Sequence, residues 1–232
     1  MSELQWSGID NMRGGPLFRL AGNASLQMRR RAYEWVRERV GGFAGKLVLD
    51  HGATPDTTSI DSNCHLPWLL EDGATVYAAS AENIDHLEQR FAGLVVVPWP
   101  PGPHLPRRAD VVFSSSVIAH VGERDAQLAF VRELLDLGDR VYLTTPNRKH
   151  WLEFHTKIPL LHWLPRARYH VALRALGLGF WTHLNLLSQD ELADLIERAA
   201  AGRGAVAELQ WYEPRLLGRV SNLVVLITQV PQ

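Results

Sequence analysis

Lys46 to Asp61 reads KLVLDHGATPDTTSID, an apolar run that breaks at an acid into a glycine turn. In an open parallel sheet such a stretch is the exit of the first strand, and ligands sit beyond the carboxyl ends of the strands, where strand order reverses. Gly52 lets the backbone come close to a ligand with no side chain in the way, and Asp50 can accept hydrogen bonds from an ammonium or hydroxyl group. On that reading Gly52→Val abolishes ligand binding and leaves the fold intact. A dinucleotide loop carries two further glycines that bring a helix N-terminus against a pyrophosphate. Here Ala53, Thr54 and Pro55 follow instead, so a pyrophosphate grip is disfavoured and a cofactor without phosphates suffers less.

Working outward, short runs rich in β-branched residues predict strands over 46–49, 75–78, 94–97, 110–113 and 140–143. Helical periodicity lies between and around them. Over 25–40, Met28, Ala32, Trp35, Val36 and Val40 share one face. Arg29, Arg30, Arg31, Arg37 and Arg39 surround it, either as a solvated face or as a cover over an anionic substrate or lipid surface. A short helix is expected over 83–91. Another over 123–137 aligns Leu128, Val131, Leu134 and Leu135 before Gly138. Ser188 and Glu191 form an S-x-x-E capping signal for a helix over 188–200, whose stripe is Leu192, Leu195, Ile196 and Ala199. The segments 206–212 and 223–230 predict an antiparallel pair that closes the sheet. Strands alternating with helices imply an α/β fold, a doubly wound, mostly parallel sheet covered on both faces.

The length fits one α/β domain over 1–232, with an N-terminal helical cover over 1–42. Twenty-four Lys and Arg against 25 Asp and Glu give a formal net charge of -1, which offers no electrostatic case for nucleic acid. Cys64 is the one cysteine, so no internal disulfide forms, and scattered histidines beside one thiol lack the spacing of a zinc site. No window approaches the roughly 20 apolar residues of a membrane span. A cytoplasmic protein is expected, with no metal and an oligomeric state that the residues do not specify.

Glu82 follows the second strand, where a carboxylate can accept both hydroxyls of a ribose, although its distance from Gly52 exceeds the roughly 20 residues typical of the dinucleotide fold. Taken alone, Glu82 reads first as an acid favoured by a helix N-terminus, and only second as a ribose ligand. The loop PWPPGPHLPRRAD is stiffened by five prolines, and its Trp99 either stacks on a base or packs on those prolines.

The combination of VLDHG, ASAEN, ADVVFSSSVIAHVG and RVYLTTPNR, from about Lys46 to the C-terminus, resembles the class I S-adenosylmethionine-dependent methyltransferases, in particular the type 11 group. TPNRKHWLEFHTKIPLLHWLP with LNLLS downstream is similar to a bacterial subgroup of it. The resemblance implies a Rossmann-like, seven-stranded sheet with an antiparallel last strand and S-adenosylmethionine (SAM) over the carboxyl ends. Asp50, His51, Gly52 and Ala53 would border the methionine part. Glu82, with Asn83 beside it, would hold the ribose, and Ser114, Ser115 and Ser116 would lie under the sulfonium. Many relatives carry an acid where the proline loop stands here, and the usual VIEH reads Val117, Ile118, Ala119, His120.

Methyl transfer is mainly a matter of holding two reactants aligned, and a base helps where the acceptor is a hydroxyl or a protonated amine. His120 and His155 are the candidates, and His162, His170 and His183 read as structural. The segment 148–187 is the insertion that roofs the acceptor. Its Trp151, Phe154, Leu160, Leu161, Trp163, Leu164 and Trp181, interleaved with Arg166, Arg168 and Arg174, either cover the sheet or suit an apolar or lipid-linked acceptor reached from a membrane surface. Transfer of a methyl group to a small molecule, whether a saccharide, a lipid-linked glycan or a secondary metabolite, is the leading expectation. A non-catalytic protein of the same fold is the alternative. A nicotinamide oxidoreductase ranks below both, since the glycines and a Tyr-x-x-x-Lys pair are missing.

Overall fold

The computed structural model describes residues 16–59 and 61–231. Its main sheet has seven strands in the order β3-β2-β1-β4-β5-β9-β6. These are β1 (Leu47–His51), β2 (Thr75–Ala79), β3 (Val95–Val96), β4 (Ala109–Ser115), β5 (Gly138–Pro146), β6 (Ala205–Tyr212) and β9 (Asn222–Pro231). β1 pairs in parallel with β2 and β4, and β4 with β5. The last strand, β9, runs antiparallel to both β5 and β6. Strand order reverses between β1 and β4, so the carboxyl ends of those two strands flank the site.

The strands are buried on both faces, and their side chains divide by the two-residue period of a pleated strand. Leu47, Leu49, Val112, Val141, Leu143, Val225 and Ile227 enter one core with helices α4 (Arg124–Leu137) and α6 (Gln189–Ala201). Val48, Val111, Phe113, Tyr142, Val224 and Leu226 enter the other. There they meet α1 (Pro16–Val40) through Tyr33 and Val36, α2 (His65–Glu71) through Leu66 and Leu69, and α3 (His86–Arg90) through Leu87. Capping at Ser188 follows the sequence pattern: its hydroxyl accepts from Glu191 N–H and the Glu191 carboxylate accepts from Ser188 N–H.

Several boundaries differ from the sequence reading. α1 starts at Pro16, earlier than the apolar stripe suggests, and residues 1–15 of the expected N-terminal cover lie outside the described residues. The helix expected over 83–91 shrinks to α3, because Asn83 Oδ1 accepts from Asp85 N–H and holds an Asx turn there instead. α2 falls in a stretch to which the sequence reading assigned no element. It is tolerated because Pro67 lies in the first turn, where a missing N–H costs nothing. Between β6 and β9 a two-stranded hairpin forms, β7 (Arg215–Leu216) and β8 (Arg219–Val220), turning through Leu217 and Gly218 at φ 50° and 81°. Over 148–187, α5 (Arg166–Ala175) and two 3-10 turns, Leu161–Trp163 and Gly179–His183, form where the sequence reading assigned no element. Tyr169, Leu173, Trp181 and Leu184 make a third cluster with Ala119, and Asn185 N–H donates to the Ala119 carbonyl at 2.9 Å. The insertion is thereby fixed against the segment that follows β4.

Candidate active site

At the exit of β1 the backbone turns at Gly52, with φ at 98°. The N–H groups of Gly52 and Ala53 both donate to the carbonyl of Ala79 at the end of β2, at 2.8 and 3.3 Å. Thr54 N–H donates to Asn63 Oδ1 at 3.0 Å. Three successive amides that a phosphate-binding loop would turn outward are therefore spent inside the protein. The rewritten loop is closed, and its glycine serves the turn. A Cβ added at Gly52 would overlap the Val117 side chain, so the space above this residue belongs to the loop after β4. This corrects the expectation that bulk at Gly52 acts on a ligand alone.

Asp50 and His51 point to opposite faces of the sheet, as neighbours in a strand must. His51 is fully buried on the α4 side, with its Nε2 3.2 Å from Glu133 Oε1 and its ring 4.7 Å from Trp99 and 5.3 Å from Phe130, centroid to centroid. Asp50 is 6% exposed on the α1 side and makes no side-chain hydrogen bond among the described residues. Burial pushes its carboxyl up to about 7, against the lowering influence of Arg29. Arg29 reaches in from α1: its Nη1 donates to Ser115 Oγ at 3.1 Å and its Nε lies 3.6 Å from Asp61 Oδ2. Ser115 also meets Thr144 Oγ1 at 3.1 Å, and Ser25 donates to Asp61 at 2.7 Å. At Asp61, burial raises the carboxyl, and Arg29, Ser59 and Ser25 outweigh it and hold it low. An arginine, two carboxylates and three hydroxyls thus gather over the carboxyl ends of β1, β4 and β5.

Beside them a cleft of about 380 Å³ runs along the ends of β2 and β3, lined by Ser80, Glu82, Asn83, Asp85, Val97 and Trp99 among others. Glu82 and Asn83 are exposed in it, and Ser80 Oγ, directly after β2, accepts from Glu82 N–H at 3.2 Å. Trp99 forms part of its wall and is 40% exposed, so its ring covers His51 and still offers a surface to the cleft. Ser114 is fully buried with its hydroxyl unpartnered among the described residues, and Ser116 holds a positive φ of 63° just before Val117, which lies over Gly52.

Beyond β4 the structure brings His120 and His155 together, with ring centroids 5.2 Å apart. Two further residues complete the group. The buried Glu153 meets His155 Nδ1 at 2.7 Å, and His183, expected to be structural, meets His120 Nδ1 at 3.1 Å. His162 accepts its expected structural part, bonded to the carbonyls of Arg148 and His150 at 3.1 and 2.9 Å. The sequence reading passed over Glu153, took His183 as structural and did not separate Arg29 from its neighbours. Arg29 was one of five similar arginines, and nothing in helical phase marks the one whose length reaches the sheet.

No protein-family model and no curated protein matches the chain. Solved structures match it in fold. Magnesium protoporphyrin IX methyltransferase from Synechocystis PCC 6803, with bound S-adenosylhomocysteine (SAH), is 15% identical with a TM-score of 0.59, covering 97% of this chain and 95% of that one. The methyltransferase domain of bacterial CtHen1 is 14% identical, with a TM-score of 0.55 over 88% of this chain and 97% of its own. A SAM-dependent methyltransferase from Aquifex aeolicus is 16% identical, with a TM-score of 0.52 over 85% and 89%. The fold is the Rossmann-like one of these methyltransferases.

Proposed function

We propose that the chain is a SAM-dependent methyltransferase acting on a small-molecule acceptor. The observation that carries this reading is a buried Asp50 that makes no side-chain hydrogen bond among the described residues and feels the charge of Arg29, next to an open cleft lined by Glu82 and Trp99. SAM supplies a methyl group on a sulfonium, flanked by an amino acid and a nucleoside. Its ammonium fits the Asp50 carboxylate, whose burial is costly without a cation. Its carboxylate fits Arg29 and Ser115. Glu82 would accept from the ribose hydroxyls, and the exposed part of Trp99 would stack on the base. The neighbours' bound SAH and the resemblance of the sequence support the same assignment.

Thermal unfolding with SAM, SAH and NAD tests it. SAH at about 100 times its dissociation constant stabilises by about 2.7 kcal/mol, whereas NAD, which needs the amides now spent on Ala79, should leave the midpoint unmoved. A response to NAD alone would put an oxidoreductase first. The second reading is a protein that keeps the fold without catalysis. Val117 over Gly52 favours it, since the protein's own side chain fills space that the sequence assigned to a ligand. Such a protein would release no SAH from SAM.

The acceptor side suits a saccharide or a lipid-linked glycan. A second cleft, of about 620 Å³, is lined by Arg148, Lys149, Trp163, Leu164, Arg166 and Arg219 among others, and Trp163 and Leu164 are 48% and 41% exposed there. Exposed apolar rings beside arginines fit the boundary of an anionic bilayer. Sedimentation with phosphatidylcholine vesicles containing phosphatidylglycerol should recover the protein, and Trp163→Ala should release it. Equal recovery of both proteins would remove the lipid from the reading.

A further inference from the structure

We propose that Glu153 and His183 are positioning residues that fix His155 and His120 with bare Nε2 atoms, forming a proton-accepting site for an acceptor whose reacting group is a hydroxyl. The inference rests on the methyl-transfer reading and adds to it the class of acceptor.

The argument is one of donors and acceptors. A carbonyl oxygen only accepts, so His183, whose Nδ1 lies 2.5 Å from the Phe180 carbonyl, carries its proton on Nδ1. A neutral His183 therefore offers a lone pair at Nε2. The contact at 3.1 Å from that atom to His120 Nδ1 then requires the proton on His120 Nδ1, which leaves His120 Nε2 bare. A carboxylate likewise only accepts. Glu153 Oε1, 2.7 Å from His155 Nδ1, requires the proton there, and the neutral ring then has a bare Nε2 as well. Two imidazoles in contact are each locked in the same tautomer by a different partner. Among the described residues no three His, Cys, Asp or Glu are arranged to share a metal ion, so proton handling is the chemistry that the arrangement suits.

The electrostatics separate the two roles. Burial, and then the nearby His155 and His183, push His120 down to about 4, so it stays neutral near pH 7 and accepts a hydrogen bond that orients the acceptor. Burial alone would raise Glu153. Its bonds from His155 and from the N–H groups of His155 and Thr156 prevail and hold it at about 2, ionised beside His155. The Glu153 side chain is 0% exposed and that of His155 16%, so a buried charge faces an imidazole that substrate can still reach. In the step itself, the acceptor oxygen forms the O–C bond to the methyl carbon as the C–S bond breaks and its electron pair returns to sulfur. The hydroxyl proton goes to His155 Nε2, and Glu153 balances the imidazolium.

Nitrogen-15 NMR of the imidazoles in the SAH complex tests the geometry. His155 and His120 should each show one tautomer, protonated at Nδ1. Glu153→Leu, which removes the acceptor, should abolish that single tautomer at His155 while changing SAH affinity less than about twofold, because a hinge or packing role would not select a ring proton. Should Glu153→Leu not fold, His183→Ala carries the same test at His120. A proton on Nε2 of either ring, or variants that leave the tautomers unchanged, overturns the proposal. Incubating a metabolite extract with SAM labelled by carbon-13 at the methyl group should give an O-methyl signal, and an N-methyl or C-methyl product overturns the acceptor class. Failure of SAH to bind at all would instead sink the methyl-transfer reading, with the imidazole tautomers measurable in the unliganded protein.

Discussion

Asp50→Asn should weaken binding of SAM by about 100-fold, measured by titration calorimetry, because it removes a buried carboxylate that feels the charge of Arg29 and makes no side-chain hydrogen bond among the described residues. The same substitution should stabilise the unliganded protein at pH 8. The unfolded carboxyl releases its proton near the ordinary value of 3.8, and the folded one holds it up to about 7. Between those values the folded state binds the extra proton, so stability falls as pH rises through that window. Asparagine has no such loss. Urea midpoints of the two proteins should therefore diverge from pH 5 to pH 8, with the variant the more stable at the higher pH. Wild-type binding should also release protons, seen as a dependence of the calorimetric heat on the buffer. Equal SAM affinity in the two proteins would separate Asp50 from the ligand, and parallel pH profiles would remove the strain ascribed to it.

Gly52→Val should destabilise the fold by about 3 kcal/mol or more. Two costs add: a β-branched residue is forced to φ 98°, and its Cβ overlaps Val117. Denaturant unfolding measures the sum. The double variant Gly52→Val with Val117→Ala should recover the part due to overlap and keep the part due to backbone strain. Retention of wild-type stability in the single variant would mean that the turn relaxes and that the glycine serves the ligand after all. His65, buried with its Nε2 unpartnered among the described residues and pushed down to about 3 by burial and Arg29, sits on the α1 side of the same sheet against Tyr33 and Phe113.

The sheet was legible because its central strands, buried on both faces, are short apolar runs rich in β-branched residues, and the α4 and α6 stripes because their apolar positions recur at helical spacing. The capping box at Ser188 could be read residue by residue. α2 could not, since seven residues with a proline carry too little periodicity. The insertion was ambiguous for a similar reason. Tyr169 and Trp181 are buried while Trp163 and Phe180 are exposed, and no repeat in the segment distinguishes them. At the site, strand alternation would have separated Asp50 from His51, although the resemblance grouped them. Glu153 and His155 stand two residues apart, a spacing that has no regular meaning in a loop. The pairing of His120 with His183 depends on how the insertion folds back onto β4.

Because the first three amides past β1 are already committed to Ala79 and Asn63, the turn offers nothing to polyanions. Abundant cellular nucleotides such as ATP would find no cradle there and would not compete for the pocket. A loop of this kind achieves selectivity by withholding donors, and restoring phosphate affinity would require breaking the seam between two strands before any new contact could form.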